Sequence, residues 1–192
     1  MTMNAGMGHS VPRSEDVRLT TGRGRYVDDI EVGGAAHMAV VRAPYAAARI
    51  LGIDTAEAAA VPGVLAILTG ADLVADGVGC LHTMVQRHKR DGSPMERPPF
   101  HALAVEQVRF IGEGVAVVVA ETRNAARDAA DLVEVDYEPL EAVSSALAAI
   151  EPGAPVVWPG VVDDNISFVF QAGDRDRMEE AFAKADHVTG LD

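Results

Sequence analysis

Residues 110–140, FIGEGVAVVVAETRNAARDAADLVEVDYEPL, read as strand, helix and strand, and this stretch decides the fold. Val115 to Ala120 form an unbroken apolar run rich in β-branched residues. The run is far too short to span a membrane but suits a central strand buried on both faces, so Val117 and Val119 are expected inside. Thr122 is the expected N-cap of a helix in which Ala125, Ala126, Ala129, Ala130 and Val133 share one face while Arg123, Arg127 and Asp131 point away. A face of alanines lets that helix pack close on the strand. Val133, Val135 and Tyr137 then alternate with Glu134, Asp136 and Glu138, which describes a half-exposed strand ending at Pro139.

Working outward, Ala35 to Ala43 and Arg49 to Ile53 read as strands separated by Pro44, and Thr55 caps a brief helix before the turn at Pro62-Gly63. Val64 to Leu68 reads as a further buried strand, and Gly70 to Val74 as one helical turn. From Asp76 to Phe100 periodicity is lost, and a loop this long inside a domain is commonly functional or partner-bound. Residues 1–12 read as a flexible lead-in and Arg13 to Ile30 as an extended polar arm, with Asp28-Asp29 in a solvated turn. Ser145 to Ile150 is a short helix, followed by a Pro- and Gly-rich coil that holds the single Trp158. Ile166 to Phe170 is expected as a strand, and Met178, Ala181, Phe182 and Ala185 as one face of a helix whose start Asp176 and Glu179 close. A last strand is expected to begin at His187 and to leave a sheet edge open through Leu191.

A chain of 192 residues with 48% hydrophobic residues can bury a core of its own. Its formal net charge of −13 opposes binding to nucleic acid or to an anionic membrane surface. Cys80 is the only cysteine, which excludes an intrachain disulfide and an iron–sulfur cluster held by this chain's thiolates alone. With no run approaching a membrane helix and no leader pattern at its start, the chain is expected in the cytoplasm without membrane insertion.

Each candidate for chemistry has a plain structural alternative that outweighs it. Gly112-Glu113-Gly114 has the glycines of a phosphate loop but is followed by a strand where such a loop needs a helix, so a tight turn is the better reading. Cys80 and His82 would share one face of an extended segment, yet two ligands do not make a metal site, and His88 and His101 lie in or beside the loop. The basic run Arg87-His88-Lys89-Arg90 reads as a solvated loop tip. Lys89 and Lys184, the only lysines, do not sit on the kind of hairpin that carries biotin or lipoate. The residues by themselves thus define an α+β domain without an evident site.

A series of short stretches, taken together, resembles the N-terminal part of the molybdopterin-binding large subunit of the xanthine dehydrogenase, aldehyde oxidase and carbon monoxide dehydrogenase family. Arg13-Ser14-Glu15-Asp16 and Gly22 to Ile30 come first, then Val41-Arg42-Ala43-Pro44 with Ala48-Arg49-Ile50. Pro62-Gly63-Val64, Leu68 to Leu73, Val108 to Ala116 and Val119 to Thr122 follow, then Val135 to Leu140, Asp164-Asn165-Ile166 and Ala181 to His187. Their order makes chance agreement improbable, unlike any single short motif. The chain differs from the family's usual Arg-Ser-Pro-His-Ala-His-Ala-Arg-Ile at Ala43, Tyr45 and Ala47, and carries Gly114 where a proline is usual.

The resemblance implies an α/β hammerhead domain, with a mixed sheet and short helices packed on it, over residues 13–150. Residues 151–192 would be a linker and the truncated start of the following molybdopterin-binding domain. In the complete subunit a molybdopterin cofactor is implied, with iron–sulfur clusters and FAD on partner subunits or domains. The complete enzyme would oxidise an aldehyde, a heteroaromatic compound or carbon monoxide with oxygen from water. No residue of this chain matches a catalytic, cofactor-binding or metal position of the family, so the segment is expected to be an inactive scaffold that binds no cofactor alone. Its expected partners are the molybdopterin-binding remainder and the iron–sulfur and flavin subunits. The alternative is a stand-alone hammerhead module that binds a protein or small ligand without redox chemistry.

Overall fold

A computed structural model describes residues 8, 10, 12–89 and 91–190. Most of the expected lead-in at 1–12, together with Arg90 and Leu191, lies outside those residues. The chain divides into two units, Met1–Ala36 and His37–Asp192, each described by itself.

The first unit departs from an extended arm. Asp16–Thr20 forms a helix, α1, too short to persist on backbone bonds alone. Side chains specify it: Asp16 accepts the Arg13 N–H, and the Thr20 and Thr21 hydroxyls donate to the carbonyls of Asp16 and Val17. No apolar period accompanies such a helix, so a search for periodicity passes over it. Asp28 and Asp29 lie in the 3-10 turn Val27–Asp29. There the Asp29 carboxylate accepts the Tyr26 N–H at 2.8 Å, the turn role expected of the acidic pair.

The second unit runs β1 (His37–Arg42), β2 (Ala48–Asp54), α2 (Ala56–Ala59), β3 (Val64–Thr69), α3 (Gly70–Ala75), β4 (Gln107–Val108), β5 (Gly114–Ala120), α4 (Arg123–Ala130), β6 (Glu134–Pro139), α5 (Ala146–Ala149) and α6 (Arg175–Lys184). Its strands form two three-stranded antiparallel sheets, in the orders β1-β5-β3 and β4-β2-β6. The valine run is the middle strand of the first sheet, as expected. The strand that follows α4 belongs to the second sheet, so the stretch that decides the fold also joins its two layers.

The expected cap forms, with Thr122 Oγ1 accepting the Ala125 N–H at 3.1 Å. Ala126 and Ala129 are buried as the helical pattern requires. One core joins Ala116 and Val118 of β5 to Ala58, Ala129 and Val133, with Ile53 and Val135 from the second sheet packed against it. A second core joins Ala43, Ala48, Ala104, Val108 and Val115, with Tyr137 at its border. The largest fully buried side chains are valines, Val108, Val115 and Val118. At roughly 1.5–3 kcal/mol for each buried valine, such a core is thin, and close approach of its alanines matters as much as bulk.

Several expectations change. Val117 and Val119 are only half-buried, because α4 covers the face of β5 that carries Ala116, Val118 and Ala120 and not the other. β3 is an edge strand with Leu65 and Ala66 exposed, where the apolar run had suggested burial. Ile166–Phe170 forms no strand; Ser167 instead exchanges two bonds with Glu96, through its hydroxyl and its backbone carbonyl. Residues 187–190 are not a strand either, so the expected open edge is absent among the described residues. The start of α6 is closed by Asp174, whose carboxylate accepts the Arg177 N–H, while Asp176 lies inside the first turn. Among the described residues nothing buries the apolar side of α6, and Met178 and Phe182 are exposed.

Candidate functional site

β4 ends where the turn 109–113 begins, and this turn anchors the coil that follows α5. Arg109 is half-buried and does three things at once. Its Nη1 donates to the Gln107 carbonyl at 2.9 Å, its Nε donates to the Val157 carbonyl at 3.2 Å, and its guanidinium lies 3.5 Å from the centre of the Trp158 ring. A planar guanidinium suits this double role, because its edge donates while its face stacks. Burial pulls the Arg109 pKa downward, against the opposing charges of Glu113 and Glu106, and an arginine so placed remains charged.

Glu113, only 7% exposed, accepts the Arg109 backbone N–H. Burial pushes its carboxyl above the ordinary range, opposed by that hydrogen bond and by the Arg109 charge. Gly112, at φ +86°, makes the turn that the sequence suggested in place of a phosphate loop. On the other side Asn165 ties the coil to itself. Its Nδ2 donates to the carbonyls of Ala149 and Pro155, and its Oδ1 accepts the Val157 N–H.

A cleft of about 600 Å³ opens along this clamp, with Arg49, His101, Glu106, Arg109, Glu113 and Trp158 among its lining residues. Its volume lies in the range of small-molecule sites. Three of its charged groups are engaged with the protein, however. Arg49 pairs with Glu138 across the sheet, Arg109 with backbone and ring, and Glu113 with the turn.

Cys80 and His82 line the same cavity, but the ring that the Cys80 sulfur meets is not that of His82. The Cys80 sulfur instead lies 3.7 Å from Nδ1 of His101, twenty-one residues on, while His82 is exposed. The loop 76–100 folds back on itself: Leu81 N–H donates to the Phe100 carbonyl, and Lys89 and Ser93 meet at its tip. Lys89 pairs with Glu96, which raises its pKa, and Arg87 stacks over Phe170 at 5.2 Å. Lys184 pairs with Glu180 on α6. Among the described residues no three His, Cys, Asp or Glu side chains gather as a metal site would require. The Arg109–Trp158 contact and the burial of Glu113 escape a reading of the sequence, because a stacking partner 49 positions away leaves no local pattern.

The family model for the aldehyde oxidase and xanthine dehydrogenase a/b hammerhead domain matches residues 21–141. The chain belongs to that family. It is 42% identical over 182 residues to the nicotine 6-hydroxylase large subunit of Paenarthrobacter nicotinovorans, covering 95% of this chain and 21% of the relative. It is 38% identical over 195 residues to the carbon monoxide dehydrogenase large chain of Afipia carboxidovorans, covering 96% of this chain and 23% of the relative. The crystal structure of the Cu,Mo-CO dehydrogenase in its carbon monoxide reduced state aligns with a TM-score of 0.68 at 37% identity, over 95% of this chain and 23% of that one. The hammerhead fold expected from the resemblance is thus the observed one, and the chain is part of a molybdenum hydroxylase large-subunit family. It spans between a fifth and a quarter of the length of these relatives. No helix among the described residues is long and apolar enough to cross a membrane.

Proposed function

We propose that this hammerhead domain is the N-terminal scaffold segment of a molybdenum hydroxylase large subunit. The observation that carries the reading is the match itself: nearly all of this chain aligns with a fifth of a longer large subunit. Physical support comes from the cleft and the coil beside it: Arg109 braces the coil 151–165 through Val157 and Trp158, Asn165 ties Val157 and Pro155 together, and Arg49 and Glu113 are held by Glu138 and by the turn. Arg109, Glu113, Trp158 and Asn165 are therefore architectural, and residues 151–192 lead toward the cofactor-binding polypeptide. Molybdopterin is held by that further polypeptide, and iron–sulfur and flavin subunits complete the complex. The assembled enzyme oxidises an aldehyde, a heteroaromatic compound or carbon monoxide with oxygen from water.

Affinity capture of this chain from its native cells, followed by metal and peptide mass spectrometry, tests the reading. Molybdenum and a larger polypeptide of the same family are expected in the captured material. A monomer recovered without either would instead favour a stand-alone binding module.

A further inference from the structure

Each of the two sheets has an outer face, and the two outer faces differ in kind. On β2 and β6, Arg49, Asp54, Glu134, Asp136 and Glu138 are exposed, as on a sheet side turned to water. On the first sheet the register sets Met38 beside Val119 and Val119 beside Ala66, then Val40 beside Val117 and Val117 beside Leu68. Directly paired residues share a face. Six apolar side chains therefore lie together with no charge or hydrogen-bonding group among them. None belongs to either core. Leu103 leans over the Val40 end, near Gly114. The opposite end is open, with Met38 65% exposed.

We propose that this face is the seat of an apolar surface on the polypeptide that the longer relatives carry outside the matched region. The inference rests on the large-subunit reading above and names the face that reading leaves unassigned. Three strands about 4.8 Å apart and about 20 Å long present roughly 300 Å². A second copy seated there would bury about 600 Å² in total, well short of the roughly 1,200–2,000 Å² of a stable complex between separate molecules. Two such copies, each at −13, also repel one another. A surface on the same chain needs much less area, because tethering supplies a high effective concentration, and interfaces between domains of one chain begin at about 600 Å². The relatives have more than three quarters of their length available to supply it.

Thiol labelling tests the assignment. Met38→Cys and, as a control on the charged side of α4, Asp128→Cys are placed in a Cys80→Ser background. Each is labelled with a maleimide in the 192-residue chain and in a chimera that joins this chain to the remainder of the Afipia carboxidovorans carbon monoxide dehydrogenase large chain. Met38 is already exposed, so its replacement leaves the core intact. In the chimera the Met38→Cys thiol is expected to react about tenfold more slowly than in the lone chain, as a docked fraction near nine-tenths gives, with the control unchanged. A chimera that takes up molybdenum while this thiol stays fully reactive overturns the inference and leaves the large-subunit reading standing. A chimera that takes up no molybdenum overturns both. Protection in the lone chain that grows with its concentration assigns the face to a second copy and overturns the inference alone.

Discussion

A methyl group on Gly70 would lie 2.3 Å from the Ala104 carbonyl oxygen and 2.8 Å from its carbon. Both are backbone atoms, so neither can swing aside as a side-chain tip does. Gly70→Ala is therefore expected to destabilise by about 1–3 kcal/mol or more, against the gain that Gly→Ala normally brings to a helix. Thermal or urea unfolding measures it, and a neutral result would show that α3 can shift away from the 103–104 segment. Glu113 gives a second residue-scale prediction. Its folded-state pKa is raised by burial, so the folded chain holds the proton more tightly than the unfolded chain does. Its contribution to stability is greatest below the ordinary carboxylate pKa, declines as pH rises to the raised value, and is flat above it. Glu113→Gln keeps an acceptor for the Arg109 N–H and loses this slope. The melting difference between variant and parent should thus move in the variant's favour as pH rises from about 4 to about 7. A difference independent of pH would place the unshifted carboxylate in water.

At the scale of elements, α4 is the piece most tightly specified. Ala126 is 1% exposed on the face that meets β5, so Ala126→Asp buries a carboxylate without a partner and is expected to cost several kcal/mol. Wild-type-like melting of that variant would contradict the packing of α4 on the strand. The coil 151–165 depends on fewer groups. Arg109→Ala removes two hydrogen bonds and a stacked ring, and Arg109→Lys keeps the charge but not the planar fork. Both should speed amide exchange at Val157, Val161 and Val162, whose N–H groups are bonded within this coil, while leaving α4 protected. Uniform protection in both variants would mean that Asn165 alone holds the coil. Elements with a strong local period, such as β5, α4 and β6, were legible from residues 110–140. The helix α1, the Glu96–Ser167 exchange and the cap at Asp174 were not, since each depends on individual side-chain bonds that no hydrophobic period records. The burial of Val117 and Val119 is less than the apolar run suggests for a different reason: such a run signals that two faces want cover, and among the described residues α4 covers one of them while the other is only half-buried.

For the whole molecule, a thin core and the many exposed large apolar side chains, among them Met38, Ile111, Phe170 and Phe182, suit a piece that gains stability from association. The resemblance carried the family and the fold because its ordered stretches run from Arg13 to His187, whereas the division into two sheets depends on pairing between distant strands. The cleft at Trp158 could not be read from sequence, since Arg109 meets it only through the fold. The central claim, a scaffold that acts only within a molybdenum hydroxylase, is tested most directly by metal analysis together with oxidation of substrate by an artificial electron acceptor. Both are measured on the 192-residue chain alone and on the complex captured from native cells. The chain alone is expected to carry no stoichiometric molybdenum and to turn nothing over, while the complex does both. Stoichiometric molybdenum or turnover in the lone chain, or a native complex with neither, would contradict it.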